Sequence, residues 1–471
     1  MVTLFFRLPE ISDHWVFWPF GSSLHPRESI NFTHCLSMSI EITSEFEHSL
    51  DLMENTDRSV FITGKAGTGK STLLRHFLGI TKKKHIVLAP TGIAALNVGG
   101  QTIHSFFSFP PGIVLLQNIK FRNNKARVMK KLDMLIIDEI SMVRVDLMKG
   151  IDISLRKHRK RMDLPFGGVQ LVMIGDLFQL SPVVPPSEET QLRMMYSGMH
   201  FFDAFPNRMA MERVVLTKVY RQQEDETEFL RILNNIRNDQ VEPRDLELLN
   251  SRYEPDLEPD EESVFLTSRR DRARNVNMFK LRELDTEHRT YTGRLKGKFK
   301  EQYESGKNIE HRLPAPLRLE LKVGAKVMMV KNDPEKRWVN GTIAHIIEMD
   351  DDEILVDIHG NQEIVYREKW QEIRYTWNSQ TAEVEEEVLG SYSQFPLQLA
   401  YAITIHKSQG KTFEKVIIDI GKGAFAHGQV YVALSRCTTL QGVRLNQPIR
   451  PRDIIVDRRI LEFIDGAEVV E

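Results

Sequence analysis

Eight consecutive residues, Gly64-Lys65-Ala66-Gly67-Thr68-Gly69-Lys70-Ser71, fit the pattern G-x-x-x-x-G-K-[ST]. Glycines at these places let the backbone curl until successive N–H groups point at phosphate oxygens. A helix opening at Lys70 adds its positive end. Lys70 is placed to reach β/γ-phosphates as a point charge, and the hydroxyl of Ser71 can ligate Mg²⁺. Further on, Met134-Leu135-Ile136-Ile137 is an apolar run closed by Asp138 and Glu139. A carboxylate at that edge can hold the Mg²⁺ shell, and its neighbour can serve as general base toward a water. The adjacent pair favours water over a substrate hydroxyl as nucleophile, hence hydrolysis of ATP.

These groups need a scaffold with strand ends at one edge. Val60 to Thr63, His85 to Ala89, Asp133 to Asp138 and Gln170 to Gly175 read as short buried strands. Helical stretches cover 45–53, begin near Lys70 and follow Thr91. Strands alternating with helices predict an α/β fold around a parallel sheet covered on both faces. Phe229, Ile232, Leu233 and Ile236 recur at helical spacing over 226–237. The acidic, Pro-interrupted stretch 254–262 reads as a solvated linker. Between about 315 and 390 the texture changes to short strands with tight turns at Asn340-Gly341 and His359-Gly360-Asn361, which predicts a small antiparallel barrel set into an α/β domain.

With 471 residues the chain is too long for one core. Hydrophobic residues make up 41% and charged residues 27%, an ordinary globular balance, and no apolar run is long enough to cross a membrane. A formal net charge of -2 argues against a purely electrostatic polyanion binder but leaves room for a locally basic cleft. Cys35 and Cys437 sit in no cluster, so neither a disulfide framework nor a zinc site is expected, and a reducing cytoplasm fits. Residues 1–37 hold Trp15, Phe17, Trp18 and Phe20 among Pro9, Glu10, Asp13 and Pro19, and read as an unstructured extension, with a docked accessory segment as the alternative.

More segments fall in a recognisable order. These are Ala89-Pro90-Thr91-Gly92, Gly100-Gln101-Thr102-Ile103-His104-Ser105-Phe106-Phe107, Gly175 to Val183, Leu216 to Gln222, Thr404 to Thr412 and Val430 to Thr438. With 152–168, ending Leu164-Pro165-Phe166-Gly167-Gly168, the chain resembles the PIF (petite integration frequency) DNA helicases of the RecD-like branch of helicase superfamily one.

That resemblance implies two RecA-like P-loop NTPase lobes, with a small wedge insertion in lobe one and an SH3-like β-barrel inserted in lobe two. The expected division is 38–205 for lobe one with the wedge at about 108–124, 206–314 and 391–471 for lobe two, and 315–390 for the barrel. Implied catalytic residues are Lys70, Glu139, Gln179, Arg221 and Arg436. Gly64, Lys65, Ala66, Gly67, Thr68, Gly69, Lys70, Ser71 and Thr72, with Gln409 and Gly410, would contact ATP, and Ser71 and Asp138 would hold Mg²⁺. Pro90, Thr91, His104, Phe106, Thr404, His406 and Lys407 would grip the nucleic acid strand.

By resemblance the activity is ATP-dependent 5′-to-3′ translocation on single-stranded DNA, with unwinding of duplex or folded DNA such as a G-quadruplex in genome maintenance. The partner is single-stranded DNA and its junctions with duplex, met by a monomer in the cytoplasm, or at the nucleoid if bacterial. An RNA-directed motor, and a nucleic-acid-stimulated ATPase clamp without unwinding, remain alternatives; a metabolic P-loop kinase is opposed by the second lobe. The family's base-reading Gln upstream of the phosphate loop is missing: no Gln precedes Gln101, and Phe46 stands near its place. Two basic runs, 157–161 and Arg269, Arg270, Arg272 and Arg274, are candidate strand contacts.

Overall fold

The computed structural model describes residues 42–110, 112–205, 211–218, 227–260, 262–378, 380 and 383–465. The extension expected over 1–37 lies outside them.

Lobe one is built on six parallel strands, β1 (Val60–Gly64), β2 (His85–Ala89), β3 (Gln101–Thr102), β4 (Met134–Ile137), β5 (Gln170–Ile174) and β6 (Glu212–Leu216). Their spatial order is β3-β2-β4-β5-β1-β6, and β1, β4 and β5 are buried at every residue, as a sheet covered on both faces requires. The helices of this lobe are α1 (Ser44–Asn55), α2 (Lys70–Ile80), α3 (Gly92–Asn97), α4 (Ile103–Phe107), α5 (Asn123–Lys131), α6 (Val145–Arg159) and α7 (Pro186–Met195).

Lobe two adds α8 (Thr227–Arg237), α9 (Pro243–Asn250), β7 (Val264–Thr267) and α10 (Arg270–Glu283). The buried residues of α8 are Phe229, Ile232, Leu233 and Ile236, the four whose spacing predicts the helix. The insert follows: β8 (His288–Thr292), β9 (Arg294–Gly297), α11 (Lys298–Glu304), β10 (Arg318–Lys322), β11 (Lys326–Met329), β12 (Ile343–Met349), β13 (Glu353–Ile358), β14 (Asn361–Tyr366), β15 (Glu368–Asn378), β16 (Glu383–Gln394) and β17 (Leu397–Leu399). The chain then returns through β18 (Ala402–Thr404), β19 (Val416–Asp419), α12 (Gln429–Leu434), β20 (Val443–Leu445) and α13 (Arg458–Asp465). Strands β18-β7-β19-β20 form the parallel sheet of lobe two.

The insert departs from the sequence expectation in extent. Five antiparallel strands, β14-β13-β12-β11-β17, make its main sheet, but β8 already pairs with β10, and β9 joins the hairpin β15–β16. That hairpin reaches lobe one. Tyr375 is buried there, edge-on to Phe106 at 6.3 Å, and its hydroxyl meets the backbone of Val87.

Two further expectations are corrected. The stretch 254–262 is not a free linker: Leu257 is buried, and Arg444 pairs with Glu254 at 3.0 Å and Asp260 at 2.9 Å. Three residues of the basic run 157–161 are engaged inside lobe one, while Lys160 and Arg161 are exposed. Lys157 donates to the carbonyl of Ile119, His158 is buried, and Arg159 donates to Met129, Leu132 and Gly167. Phe166, at φ 52°, turns its N–H onto Asp152 at 2.8 Å, so within 152–168 the residues after Arg159 fold back tightly against α6.

The C-terminal helix also returns to lobe one. Phe463 stacks on Phe202 with centroids 4.2 Å apart, Arg459 pairs with Asp203, and His200 meets Asp457 at 2.8 Å. This hydrogen bond holds Asp457 down at about 2.

Candidate functional site

The phosphate loop leaves the end of β1 and enters α2. Gly67 and Gly69 take φ of 86° and 83°, where a side chain would be strained. A Cβ on Gly64 would stand 2.7 Å from the carbonyl oxygen of Leu216, so the loop passes close against β6. Lys70 Nζ donates to the carbonyls of Gly64 at 2.8 Å and Lys65 at 2.9 Å. Its ammonium thus rests on the loop's own backbone. Ser71 and Thr72 open α2 beside it, with Ser71 exposed.

Asp138 and Glu139 follow β4 at the same edge of the sheet. Glu139 sits at φ 53°, an uncommon conformation for this residue that turns the chain sharply out of the strand. Burial raises the proton affinity of Asp138, opposed by a backbone hydrogen bond and Lys70. Burial also raises Glu139; Asp138 adds to the rise, while Lys70 and Arg436 oppose it. The two carboxylates, Lys70 and Arg436 therefore share one electrostatic site.

Asp176, buried after β5, organises the contact between lobes. Its Oδ2 accepts from Gln179 Nε2 at 3.1 Å and lies 3.5 Å from the hydroxyl of Tyr431 in α12. Its Oδ1 lies 3.5 Å from Arg237 at the end of α8, and the Arg237 guanidinium stacks 4.0 Å above the ring of Phe178. Gln409 donates to Gln179 Oε1 at 3.3 Å, and the Ala66 N–H reaches Tyr431 at 3.5 Å. A Cβ on Gly428, at φ 70°, would collide with the carbonyl oxygen of Phe178 at 2.4 Å. Only glycine allows α12 so near lobe one. Gly410, at φ 74°, turns the chain just after Gln409.

Arg436 is fully buried. It donates to the carbonyls of Val432 at 2.9 Å, Ser408 at 3.3 Å and Lys411 at 3.4 Å, and to Ser435 Oγ at 2.8 Å. Arg221 lies outside the described residues. Phe46 is buried in α1 against His76 and faces the core of lobe one, not a base.

The strand candidates divide. Pro90 and Thr91 stand half-exposed after β2, and the Thr91 hydroxyl caps α3 by accepting from Ala94 N–H at 3.2 Å. Thr404, at the end of β18, accepts from Lys407 N–H at 3.2 Å, and His406 and Lys407 follow it. Burial first, then Arg270, holds His406 below its ordinary range, and burial lowers the half-buried His104. Phe106 is a correction: it is wholly buried, edge-on to Phe107 at 4.8 Å, and cannot touch a strand in this arrangement.

Sequence reasoning missed Arg237 and Tyr431 as cleft residues. The signal for Arg237 was slight, one arginine ending an amphipathic helix. Tyr431 lies within a quoted segment but was given no role.

The family model described as PIF1-like helicase matches residues 41–246, and that described as DNA helicase Pif1, 2B domain, matches 306–349. The chain is 32% identical to the ATP-dependent DNA helicase Pif1 of Bdellovibrio bacteriovorus over 434 residues, 90% of this chain and 92% of that one. It superposes on Bacteroides Pif1 in complex with ADP-AlF4 with a TM-score of 0.83 at 39% identity, covering 91% of this chain and 97% of the other. Against the same protein bound to ssDNA, at the same identity and coverage, the TM-score is 0.63. The arrangement of lobes and insert thus follows the first structure more closely than the strand-bound one. With two lobes meeting across a phosphate loop, and a relative matched over nearly its whole length, the chain belongs to the PIF1-like helicase family.

Proposed function

We propose that the chain is an ATP-dependent DNA helicase that moves 5′ to 3′ on single-stranded DNA and opens duplex or folded DNA. One observation carries the reading. Ala66, Gln179 and Glu139 of lobe one are met across the cleft by Tyr431, Gln409 and Arg436 of lobe two. A site completed by two lobes ties hydrolysis to their relative motion. The structures of Bacteroides Pif1 bound to ssDNA support DNA as the track.

On nucleotide binding Lys70 exchanges the carbonyls of Gly64 and Lys65 for β/γ-phosphate oxygens. Glu139, whose proton affinity is raised by burial, accepts the proton of the attacking water. Arg436 must leave the carbonyls of Ser408 and Lys411 to meet the developing charge, so its movement releases the segment that follows His406 and Lys407. The hydroxyl of Ser71 and the desolvated carboxyl of Asp138 are hard oxygen donors that fit Mg²⁺. When bound, the cation neutralises phosphate charge. Opening a DNA base-pair step costs about 1.4 kcal/mol, which binding contacts alone cannot repeat.

The test is ATP-dependent strand separation on a duplex with a 5′ single-stranded tail beside one tailed at the 3′ end. Unwinding of the 5′-tailed duplex alone is expected. Stimulated ATP turnover with neither duplex opened would replace the helicase by a clamp or an RNA-directed motor.

A further inference from the structure

The arginines of α10 separate into two kinds. Arg269 pairs with Asp271 at 2.7 Å, and Arg272 faces Asp419 at 3.7 Å. Arg270, Arg274 and Arg282 are exposed and have no carboxylate partner among the described residues. These three, with Asp271 and the 54% exposed Phe279, line one groove of about 720 Å³. Asp271 is already engaged by Arg269, so the groove's charge is positive. At 1.5 Å rise per residue, Arg270 and Arg282 lie about 18 Å apart along the helix. Arg270 stands near enough to His406 and Lys407 for both to feel its charge, so the groove continues the candidate strand site.

We propose that this face of α10 extends the track for single-stranded DNA, with Arg270, Arg274 and Arg282 on phosphates and Phe279 as a stacking platform for one base. The proposal rests on the helicase reading. A chain of net charge -2 that leaves three neighbouring arginines uncompensated has a surface complementary to a polyanion. An exposed phenylalanine among them supplies what bases add to a bare backbone: a π-face to stack on.

The experiment measures affinity of the full chain for labelled single-stranded oligonucleotides of graded length between 50 and 200 mM salt, by fluorescence anisotropy. A blunt duplex serves as the second probe. The variants are the combined R270Q, R274Q and R282Q, and separately F279A. Each phosphate released from a single strand contributes about 0.7 to the slope of log K on log salt, so the triple variant should lose about 2 from it. Phe279→Ala should weaken long oligonucleotides roughly 5- to 100-fold and leave the shortest binders unchanged. Unchanged slopes and affinities in variants of a wild type that binds would overturn the proposal. A change seen only with duplex would overturn it too, by making α10 a duplex surface. A wild type that binds no single strand refutes the helicase reading itself. If the triple variant fails to fold, Arg282→Gln alone should still lower the slope by about 0.7.

Discussion

The hydroxyl of Tyr431, in lobe two, lies 3.5 Å from Oδ2 of Asp176, in lobe one. Burial pushes this phenol well above its ordinary range, so it remains a neutral donor throughout the physiological pH span. At that separation the bond is long and would shorten on closure. Tyr431→Phe should therefore lower strand-stimulated kcat about 5-fold, near 1 kcal/mol, with KM for ATP little changed. Arg237→Ala should cost more, about 10- to 100-fold, because the buried Asp176 carboxylate loses its cationic partner. Steady-state ATP hydrolysis with and without DNA reads both. Equal losses in the two conditions would show that the contact does not report on closure.

Lys70→Ala should reduce ATP turnover at least about 100-fold, the scale for losing one group that stabilises developing charge. Single-strand affinity should stay within about twofold, since the Lys70 ammonium rests on carbonyls of the phosphate loop, away from the candidate strand contacts. Wild-type hydrolysis by this variant would remove the phosphate-loop assignment altogether.

Phe106→Ala should behave as a core mutation. The ring is wholly buried between Phe107 and Tyr375, so its loss should destabilise by about 3–5 kcal/mol. His406→Ala should do the reverse, weakening strand binding without moving Tm. Thermal melting and oligonucleotide titration on both variants separate the roles; an unaltered Tm for Phe106→Ala would contradict the packing.

Lys411 supplies a pH dependence. Burial, with a smaller push from Lys407, depresses it from 10.5 to about 8. Between those values the unfolded chain holds a proton that the folded chain has released. This stabilisation is therefore present above pH 10.5 and is lost as pH falls through about 8. The full effect is about 3 kcal/mol. Replacing it, as in Lys411→Met, should flatten the rise in Tm between pH 7.5 and 9.5. Parallel curves for variant and wild type would mean the ammonium is not desolvated.

Where the chemistry is local, the sequence was legible. The phosphate loop, Asp138-Glu139 and the lobe-one strands each rest on a few consecutive residues whose spacing has one physical meaning. The α8 pattern worked equally well for the buried face, but not for Arg237, whose partner Asp176 is 61 residues away. Phe106 shows the same limit from the other side: the resemblance of its segment implies a strand contact, while its burial depends in part on the ring of Tyr375, brought from the insert. The hairpin β15–β16 escaped because Glu383 to Val388 is mostly acidic and shows no apolar alternation in the sequence; pairing along β15 and β16 supplies what the pattern does not.

The return of the C-terminal helix to lobe one has a consequence for how the molecule is made. Phe463 completes the aromatic cluster with Phe61, Phe201 and Phe202, yet 256 residues separate Asp203 from its partner Arg459. At a synthesis rate of about 5–20 residues per second, that partner emerges roughly 13–50 s later. Through that interval the nascent first lobe carries an open aromatic face, and chaperone capture there should compete with folding.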